Sequence, residues 1–322
     1  MKRKLFALSA AALSLTILAG CSEYKVALTA NWYRDPSITN AISGTYEKLT
    51  YRVTSLNDGT SADLKVTYEP GTYVVELKNA VYTWDDGTNE EVYELSSTLS
   101  VSGKYTFEDK SHEFSDSIVS RCVFRTVDKE LQPIVSEKTV HSTSPAGPVP
   151  VTGEDPFVVY EYSTTVQYDK DCQNATVSYK DLSDEASEKS ERTLSVQNGY
   201  SYFDNEQLLF AGRAMTFGEG SSLRVSCLGA ELGKLQDVLF SCQETDKRTQ
   251  TINGEEIKDI DVNVVTLSLQ QDLTGGVQKL YYASRLSGNN TYRNALLYME
   301  VPLSYNLGTL AYTLTEAEFT TK

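Results

Sequence analysis

Along most of the chain after residue 45, apolar and polar residues alternate with a period of two, which is typical of strands with one buried face. The first two such runs, near 49–53 and 64–68, are separated by Asn57-Asp58-Gly59, a favourable hairpin turn because glycine accepts a positive φ. The longest run keeps one apolar face through Tyr93, Leu95, Leu99, Val101, Tyr105 and Phe107. We therefore predict a mainly β fold, a large antiparallel meander sheet that curves into a half-barrel or roll.

Helical spacing of apolar residues occurs convincingly in one segment, Asn205 to Met215. Asp204 is a suitable N-cap, and Gln207 follows three residues later, in the spacing of a capping box. Gly212 weakens this helix because glycine has a low helix propensity. The sequence thus predicts one short helix within the β fold.

A proline-rich segment, residues 144–150, interrupts the alternation and cannot lie inside a sheet, since proline donates no ladder hydrogen bond. Two alternatives fit this composition, a linker between two domains and a long loop inside one meander. The strands predicted on its two sides are similar in character, which favours the loop. We therefore expect one antiparallel β domain over 45–322 with a proline-rich loop near 144–150.

The first 20 residues have the layout of an export signal, with Lys2, Arg3 and Lys4 ahead of a short apolar run. The following Leu18-Ala19-Gly20-Cys21 resembles the bacterial lipobox. The resemblance implies cleavage before Cys21 and lipid attachment to its thiol, hence an extracytoplasmic protein anchored to a bacterial membrane. Residues 1–20 are then the signal peptide and 21–44 the lipidated N-terminus and tether. The alternative is an ordinary signal peptide followed by an incidental cysteine.

The net charge of the chain indicates which kinds of partner it can bind. The formal charge is −15, and it becomes −18 once Lys2, Arg3 and Lys4 are removed with the signal segment. Because affinity for nucleic acid comes from Lys and Arg that neutralise phosphates, such an acidic chain is not expected to bind nucleic acid. The membrane is expected to be contacted through the N-terminal lipid rather than by surface charge.

Four cysteines remain after Cys21, an even number that permits two disulfides outside the cytoplasm. Cys227 and Cys242 flank a predicted turn near Gly233-Lys234, so a hairpin would bring them opposite each other. Cys122 and Cys172 are about equidistant from the proline-rich loop and would pair in the same way. The alternative is four free, partly buried thiols.

The segment Tyr202-Phe203-Asp204-Asn205-Glu206-Gln207-Leu208-Leu209-Phe210, followed by Arg213-Ala214, is similar to a segment of exported bacterial proteins of unknown function. In those proteins the helix is followed by strands that end in an aromatic-rich run, here Lys279-Leu280-Tyr281-Tyr282-Ala283. The resemblance covers about 155–305. It implies a long, strongly curved antiparallel sheet folded around a helix, as in lipoprotein carriers, and supplies no catalytic residues.

Acidic residues are abundant, but the chain contains few motifs that are typical of catalysis. There are only two histidines, His112 and His141, and no nucleophile elbow or phosphate-binding glycine loop is present. The acidic turn 85–91 has oxygen atoms enough for a calcium ion, but its spacing is not that of an EF-hand, and a solvated hairpin tip is favoured. We expect no enzyme activity, no metal and no cofactor.

The aromatic faces are the remaining candidate site. Tyr160, Tyr162 and Tyr168 share one face of a strand, Tyr281 belongs to a later strand, and Leu208 lies on the helix. A sheet that curls over one helix leaves part of its concave face uncovered, which favours a cleft for a lipid, an amphiphile or another apolar ligand. The alternative for these residues is filled core. Two functions follow, a non-catalytic binding lipoprotein with a cleft and a surface structural or interaction scaffold without one.

Overall fold

A computed structural model describes residues 46–58, 60–61, 64–127, 130–145, 157–196, 199–229, 234–269, 277–284, 292, 294–303 and 307–320. The signal segment, the lipobox and the tether lie outside these residues. The strands are β1 (Tyr46–Asp58), β2 (Thr60–Ser61), β3 (Leu64–Tyr68), β4 (Gly71–Thr83), β5 (Asn89–Phe107), β6 (Lys110–Val127), β7 (Glu130–Pro145), β8 (Phe157–Tyr168), β9 (Asn174–Asp181), β10 (Ser190–Ser195), β11 (Tyr202–Asp204), β12 (Ser222–Gly229), β13 (Lys234–Ile252), β14 (Glu255–Leu269), β15 (Gln278–Ala283), β16 (Leu296–Pro302) and β17 (Gly308–Thr320). A 3-10 turn (Asn205–Gln207) and helix α1 (Leu208–Ala214) follow β11.

The strands form one curved sheet in which nearly every pair is antiparallel, so the predicted fold class is confirmed. Strands β4 to β10 pair in chain order, and so do β12 to β17. β1 joins the two series because it pairs with β4 on one side and with β17 on the other. The short β11 departs from the meander, since it runs parallel to β12.

The first predicted hairpin is wrong. The Asn57-Asp58-Gly59 turn was expected to pair the run near 49–53 with that near 64–68, but β1 pairs with β4 and β17, whereas β3 pairs with β5. The physical reason is that β5 is long enough to hold β4 along its first part and β3 along its last part. Turn chemistry alone does not select the partner strand.

The strands around the proline-rich segment pair with each other, and the segment's first two residues, Ser144 and Pro145, belong to β7, contrary to the expectation that it lies outside the sheet. β7 and β8 form an antiparallel hairpin whose register runs from Val135↔Gln167 to Pro145↔Phe157. Residues 146–156, which connect them, are outside the described part of the chain. The same meander therefore continues on both sides of this segment.

Helix α1 lies in the hollow of the sheet, where apolar residues from both series of strands surround it. Its Leu208, Phe210, Ala211 and Ala214 are buried in one core with residues such as Phe124 and Phe240. Asp204 is the N-cap, and its Oδ1 accepts a hydrogen bond from the Glu206 N–H at 2.8 Å. The expected capping box is not formed, because the Gln207 side chain donates to the Leu131 carbonyl instead.

The two ends of the sheet meet through side chains. Among the described strands, β10 pairs only with β9 and β11 only with β12, so no ladder of hydrogen bonds crosses from β10 to β11. A small apolar core fills this junction, hereafter the seam; it contains Val166, Tyr168, Ala175, Val177, Val196 and Leu228. The sheet is thus strongly curved but not closed by backbone pairing.

All four described cysteines are free thiols, so both predicted disulfides are absent. Cys227 pairs with Gln236 in the β12–β13 hairpin, whereas the Cys242 N–H donates to the Ser221 carbonyl. Six residues along a strand correspond to about 20 Å, far beyond the Cα separation of about 6 Å in a disulfide. Cys122 lies on β6, opposite Ser136 of β7, whereas Cys172 follows β8, so the proline-rich hairpin does not align these two.

Candidate ligand cavity

A cavity of about 480 Å³ lies in the part of the hollow that the helix leaves uncovered. Its floor is made by the concave face of β5 to β8, in two neighbouring rows of paired residues. The row nearer the helix consists of Leu99, Ile118, Val140 and Tyr162, and the outer row consists of Val101, Asp116, Ser142 and Tyr160. Paired residues share a face and successive rows on one face are about 7 Å apart, so the alternation of the sequence generates this surface directly.

The opposite wall comes from the end of the chain and from two tyrosines, one buried and one partly buried. Leu303, Leu307, Leu310 and Tyr312 supply an apolar surface, and Tyr68 and Tyr105 complete it. The Tyr68 hydroxyl donates to the Leu307 carbonyl at 3.0 Å, and the Tyr105 hydroxyl donates to the Thr143 carbonyl at 3.1 Å. Because both hydroxyls are engaged by backbone, these two rings present mainly carbon to the cavity.

Asp116 is the carboxyl group of the outer row. Its Oδ2 accepts from the Ser142 hydroxyl and its Oδ1 from the Thr143 N–H, each at 2.8 Å. Burial raises the pKa of Asp116 above the usual range, although these two hydrogen bonds oppose the effect. Both oxygens of Asp116 therefore already have protein donors.

Lys138 supplies the cationic group of the cavity. Among the described residues that line the cavity, it is the one cationic side chain. It lies in the next row toward the helix, paired with Ser120 and Thr164. Its Nζ is 3.8 Å from Glu206 Oε1, with the two side chains only 19% and 16% exposed. The apolar cavity thus ends, toward the helix, at a row that contains an ammonium group.

A second, much smaller cavity of about 40 Å³ lies beside the helix itself. Leu209, Phe210 and Arg213 of α1 line it, together with Glu206 and residues of β1, β4 and β5. Arg213 is held there by a buried ion pair with Glu47, in which Nη2 is 3.1 Å from Oε2. This space holds a few water molecules at most, so the helix end of the hollow is essentially filled.

The structure brings two of the five predicted ligand-binding residues to the cavity, Tyr160 and Tyr162. Tyr168 shares their strand face but is buried, and its hydroxyl donates to Asp204 Oδ2 at 2.6 Å. Leu208 belongs to the core around the helix. Tyr281 packs edge-on against Tyr298, with ring centres 5.2 Å apart, and lines neither cavity. For Tyr168 and Leu208 the filled-core alternative describes their surroundings, whereas Tyr281 is partly exposed.

Sequence reasoning missed Lys138, Asp116 and the leucines of the far wall. Lys138 and Asp116 occupy inward positions in strands whose alternation was recognised, and counting every second residue would have found them. Leu303, Leu307 and Leu310 lie 143 to 150 residues from Tyr160 in the chain. Their position opposite β8 depends on the pairing of β1 with β17, which no local pattern reveals.

The remaining candidate residues lie in strands and turns outside this cavity. His112 lies on β6 and stacks on Phe157, and His141 lies on β7 with Nδ1 2.5 Å from Glu161 Oε1. In the acidic turn, Asp86 Oδ1 accepts from the Thr88 N–H. Within the described ranges, no group of three or more His, Cys, Asp or Glu side chains is arranged to hold a metal ion. No helix in the same ranges is both long enough and apolar enough to span a bilayer.

The fold and the cavity define a class, a large curved antiparallel β protein with one short helix in its hollow. No protein-family model matches the chain, and no curated protein matches it. Among solved structures, it is similar to a crystal structure of a beta-barrel-like protein of domain of unknown function DUF1849 from Brucella abortus. That likeness has a TM-score of 0.49 and 8% sequence identity, and it covers 87% of this chain and 100% of the other.

Proposed function

We propose that this chain is a non-catalytic extracytoplasmic lipoprotein that binds a lipid, an amphiphile or another apolar ligand in the cavity between β5–β8 and the end of the chain. The carrying observation is the cavity of about 480 Å³, whose wall combines leucine, valine and tyrosine with a few polar groups. Ligand sites of small molecules are typically about 300–1,000 Å³, mostly apolar, with few polar groups.

Energetics support an apolar ligand. Each methylene group that moves from water into such a wall contributes about 0.8 kcal/mol, so a chain of several carbons gains enough to offset the cost of immobilisation. Tyr160 is 44% exposed at the edge of the cavity, which gives the ligand an aromatic contact on its way in. The lipobox-like Leu18-Ala19-Gly20-Cys21 supports an envelope location, where such ligands are abundant.

The test uses the full chain carrying Cys21→Ser, which removes the predicted acylation site so that detergent is not needed. The fluorescent apolar probe N-phenyl-1-naphthylamine is titrated into this protein and into its Val140→Trp variant. Val140 is 5% exposed and lines the cavity, so an indole there fills the space, and we expect probe affinity to fall at least tenfold.

Val119→Trp is the matched control. Val119 neighbours Ile118 on β6 but points to the opposite face and is 49% exposed, so the same substitution leaves the cavity unchanged. Probe affinity should then equal that of the parent protein. The proposal fails if the parent does not bind the probe, or if Val140→Trp binds it as well as Val119→Trp does.

A surface interaction scaffold is the second candidate function. Val158 and Tyr160 are exposed apolar residues on the cavity face at the start of β8, and the exposed Tyr179 of β9 stacks on Tyr162 of the same face, with ring centres 5.5 Å apart. Contiguous apolar surface of this kind is typical of protein contacts. A photo-crosslinker at position 158 in living cells tests this function, since a discrete adduct is expected only if a partner covers this exposed part of β8.

A further inference from the structure

The polar groups of the cavity are not distributed evenly along it. Lys138 lies one row closer to the helix than Ile118 and Val140. The Asp116 carboxyl lies two rows further out than Lys138. Two rows correspond to about 13 Å along the strands. A ligand with one charged end therefore meets different chemistry according to its orientation.

The inner end favours an acidic group. An ammonium at the border of a low-dielectric space binds a carboxylate more strongly than it would in water. The contact with Glu206 is 3.8 Å, longer than a hydrogen bond, and both side chains are largely withdrawn from solvent. A ligand carboxylate that reaches Nζ at hydrogen-bonding distance makes a closer contact than Glu206 does.

The outer row disfavours an acidic group. Both oxygens of Asp116 already accept hydrogen bonds, from Ser142 and Thr143, so this carboxyl offers a negatively charged ligand group no hydrogen bond while it is ionised. Between the two ends, Leu99, Ile118 and Val140 face the leucines of the far wall. That stretch accepts hydrocarbon and nothing polar.

Building on the ligand-binding function proposed above, we propose that the ligand is a single-chain carboxylate amphiphile that enters carboxylate first, with its acidic group bound by Lys138 and its hydrocarbon chain against the apolar rows. A compact head group is required, because the space beyond Lys138 is filled by the helix and its core. Glu206 competes with the ligand for the same ammonium.

The experiment compares hexadecanoate with hexadecanol, which has the same chain and no charge, by displacement of the naphthylamine probe from the full-chain Cys21→Ser protein. We expect this protein to bind hexadecanoate about ten- to a hundredfold more tightly, the range of a charge-assisted hydrogen bond. Lys138→Met should abolish that preference, lowering hexadecanoate affinity far more than hexadecanol affinity. Lys138→Arg, which retains the charge, should keep most of it.

Lys78→Met is the matched control, because Lys78 is a 51% exposed lysine that pairs with Glu94 elsewhere on the sheet. It should not alter either affinity. Equal affinities of the parent and Lys138→Met for hexadecanoate would overturn this inference while the ligand-binding function stood, since probe and hexadecanol still bind. Failure of the parent to bind the probe would overturn the ligand-binding function itself.

Glu206→Gln gives an independent test if Lys138→Met does not fold. Removing the competing carboxylate should raise hexadecanoate affinity several-fold and leave hexadecanol affinity unchanged. Unchanged or weaker binding of hexadecanoate by a folded Glu206→Gln protein contradicts the role assigned to Lys138.

Discussion

Among single residues, Asp204 makes the most informative set of contacts. It is 2% exposed, and its carboxyl group accepts hydrogen bonds from Ser136 of β7, from Tyr168 of β8 and from the Glu206 N–H. It therefore connects the start of the helix to two strands near the seam. Burial, with a smaller contribution from the Glu206 charge, raises the pKa of Asp204 to about 6.

This raised pKa predicts a stability that depends on pH. The folded chain holds the Asp204 proton more tightly than the unfolded chain, so the contribution is complete below the unfolded pKa of about 4 and is lost as the pH rises through about 6. Asp204→Asn stays uncharged at every pH. Relative to that variant, the parent should lose about 3 kcal/mol of unfolding free energy between pH 4 and pH 7.

Urea unfolding followed by circular dichroism from pH 4 to pH 8 measures this difference. Ser136→Ala provides the matched variant, because the Ser136 hydrogen bond lowers the pKa of Asp204 and its removal should shift the midpoint of the pH dependence upward. If the parent and Asp204→Asn change in parallel across this range, Asp204 is ionised in the folded chain and the assignment is wrong.

At the scale of an element, helix α1 depends on a glycine that local propensity disfavours. A Cβ at Gly212 would lie 2.3 Å from the Tyr282 hydroxyl oxygen and 2.9 Å from its Cζ. The same hydroxyl donates to the Leu209 carbonyl at 3.0 Å, so Tyr282 cannot withdraw without losing a hydrogen bond. The glycine lets β15 approach the helix closely.

Gly212→Ala should therefore destabilise the fold by about 1–3 kcal/mol, the usual cost of overpacking, although alanine is the better helix former. The control is Gly218→Ala, where a Cβ meets nothing within 4 Å, and it should change stability by less than about 0.5 kcal/mol. Thermal and urea unfolding measure both. A Gly212→Ala protein more stable than the parent would show that helix propensity, not the approach of Tyr282, governs this position.

Element prediction from the sequence succeeded where the determinants are local and failed where they are not. Period-two alternation gave the strands, and capping with apolar spacing gave the helix, because both reflect neighbours within a few residues. The partner of β1 is different, since Thr50 pairs with Glu316 at the far end of the chain. Local propensity alone marks Gly212 as a weakness of the helix, because its contact, Tyr282, lies 70 residues away.

The candidate site shows the same division. Alternation placed Tyr160, Tyr162 and Tyr168 on one face, and the structure keeps them there. Which rows of that face stay uncovered depends on where the helix lies. Tyr168 is covered by Asp204 and the seam, whereas Tyr160 and Tyr162 lie beyond the helix. The sequence of a single strand does not show which of these rows the helix and the seam cover.

At the scale of the whole molecule, the hollow has two unlike ends. Glu47, near the start of β1, binds Arg213 at the helix end, whereas Ser55, near its other end, pairs with Leu310 of the cavity wall. β1 spans about 40 Å over its 13 residues. The described chain therefore begins at the filled end of the hollow, and the cavity lies toward the opposite end.

If Cys21 carries the lipid that we propose, the anchor joins the described chain through Tyr46, at the end of β1 away from the cavity. Acyl chains contribute about 0.8 kcal/mol per buried methylene, so two or three of them hold a protein on a membrane durably.

We predict that Cys21→Ala moves the chain from the membrane fraction to the soluble fraction, while Ser22→Ala stays membrane-bound. Intact mass should show the added lipid on the latter alone. A Cys21→Ala protein that remains in the membrane fraction would mean that something other than this cysteine holds it there, and the proposed anchor at Cys21 would then be wrong.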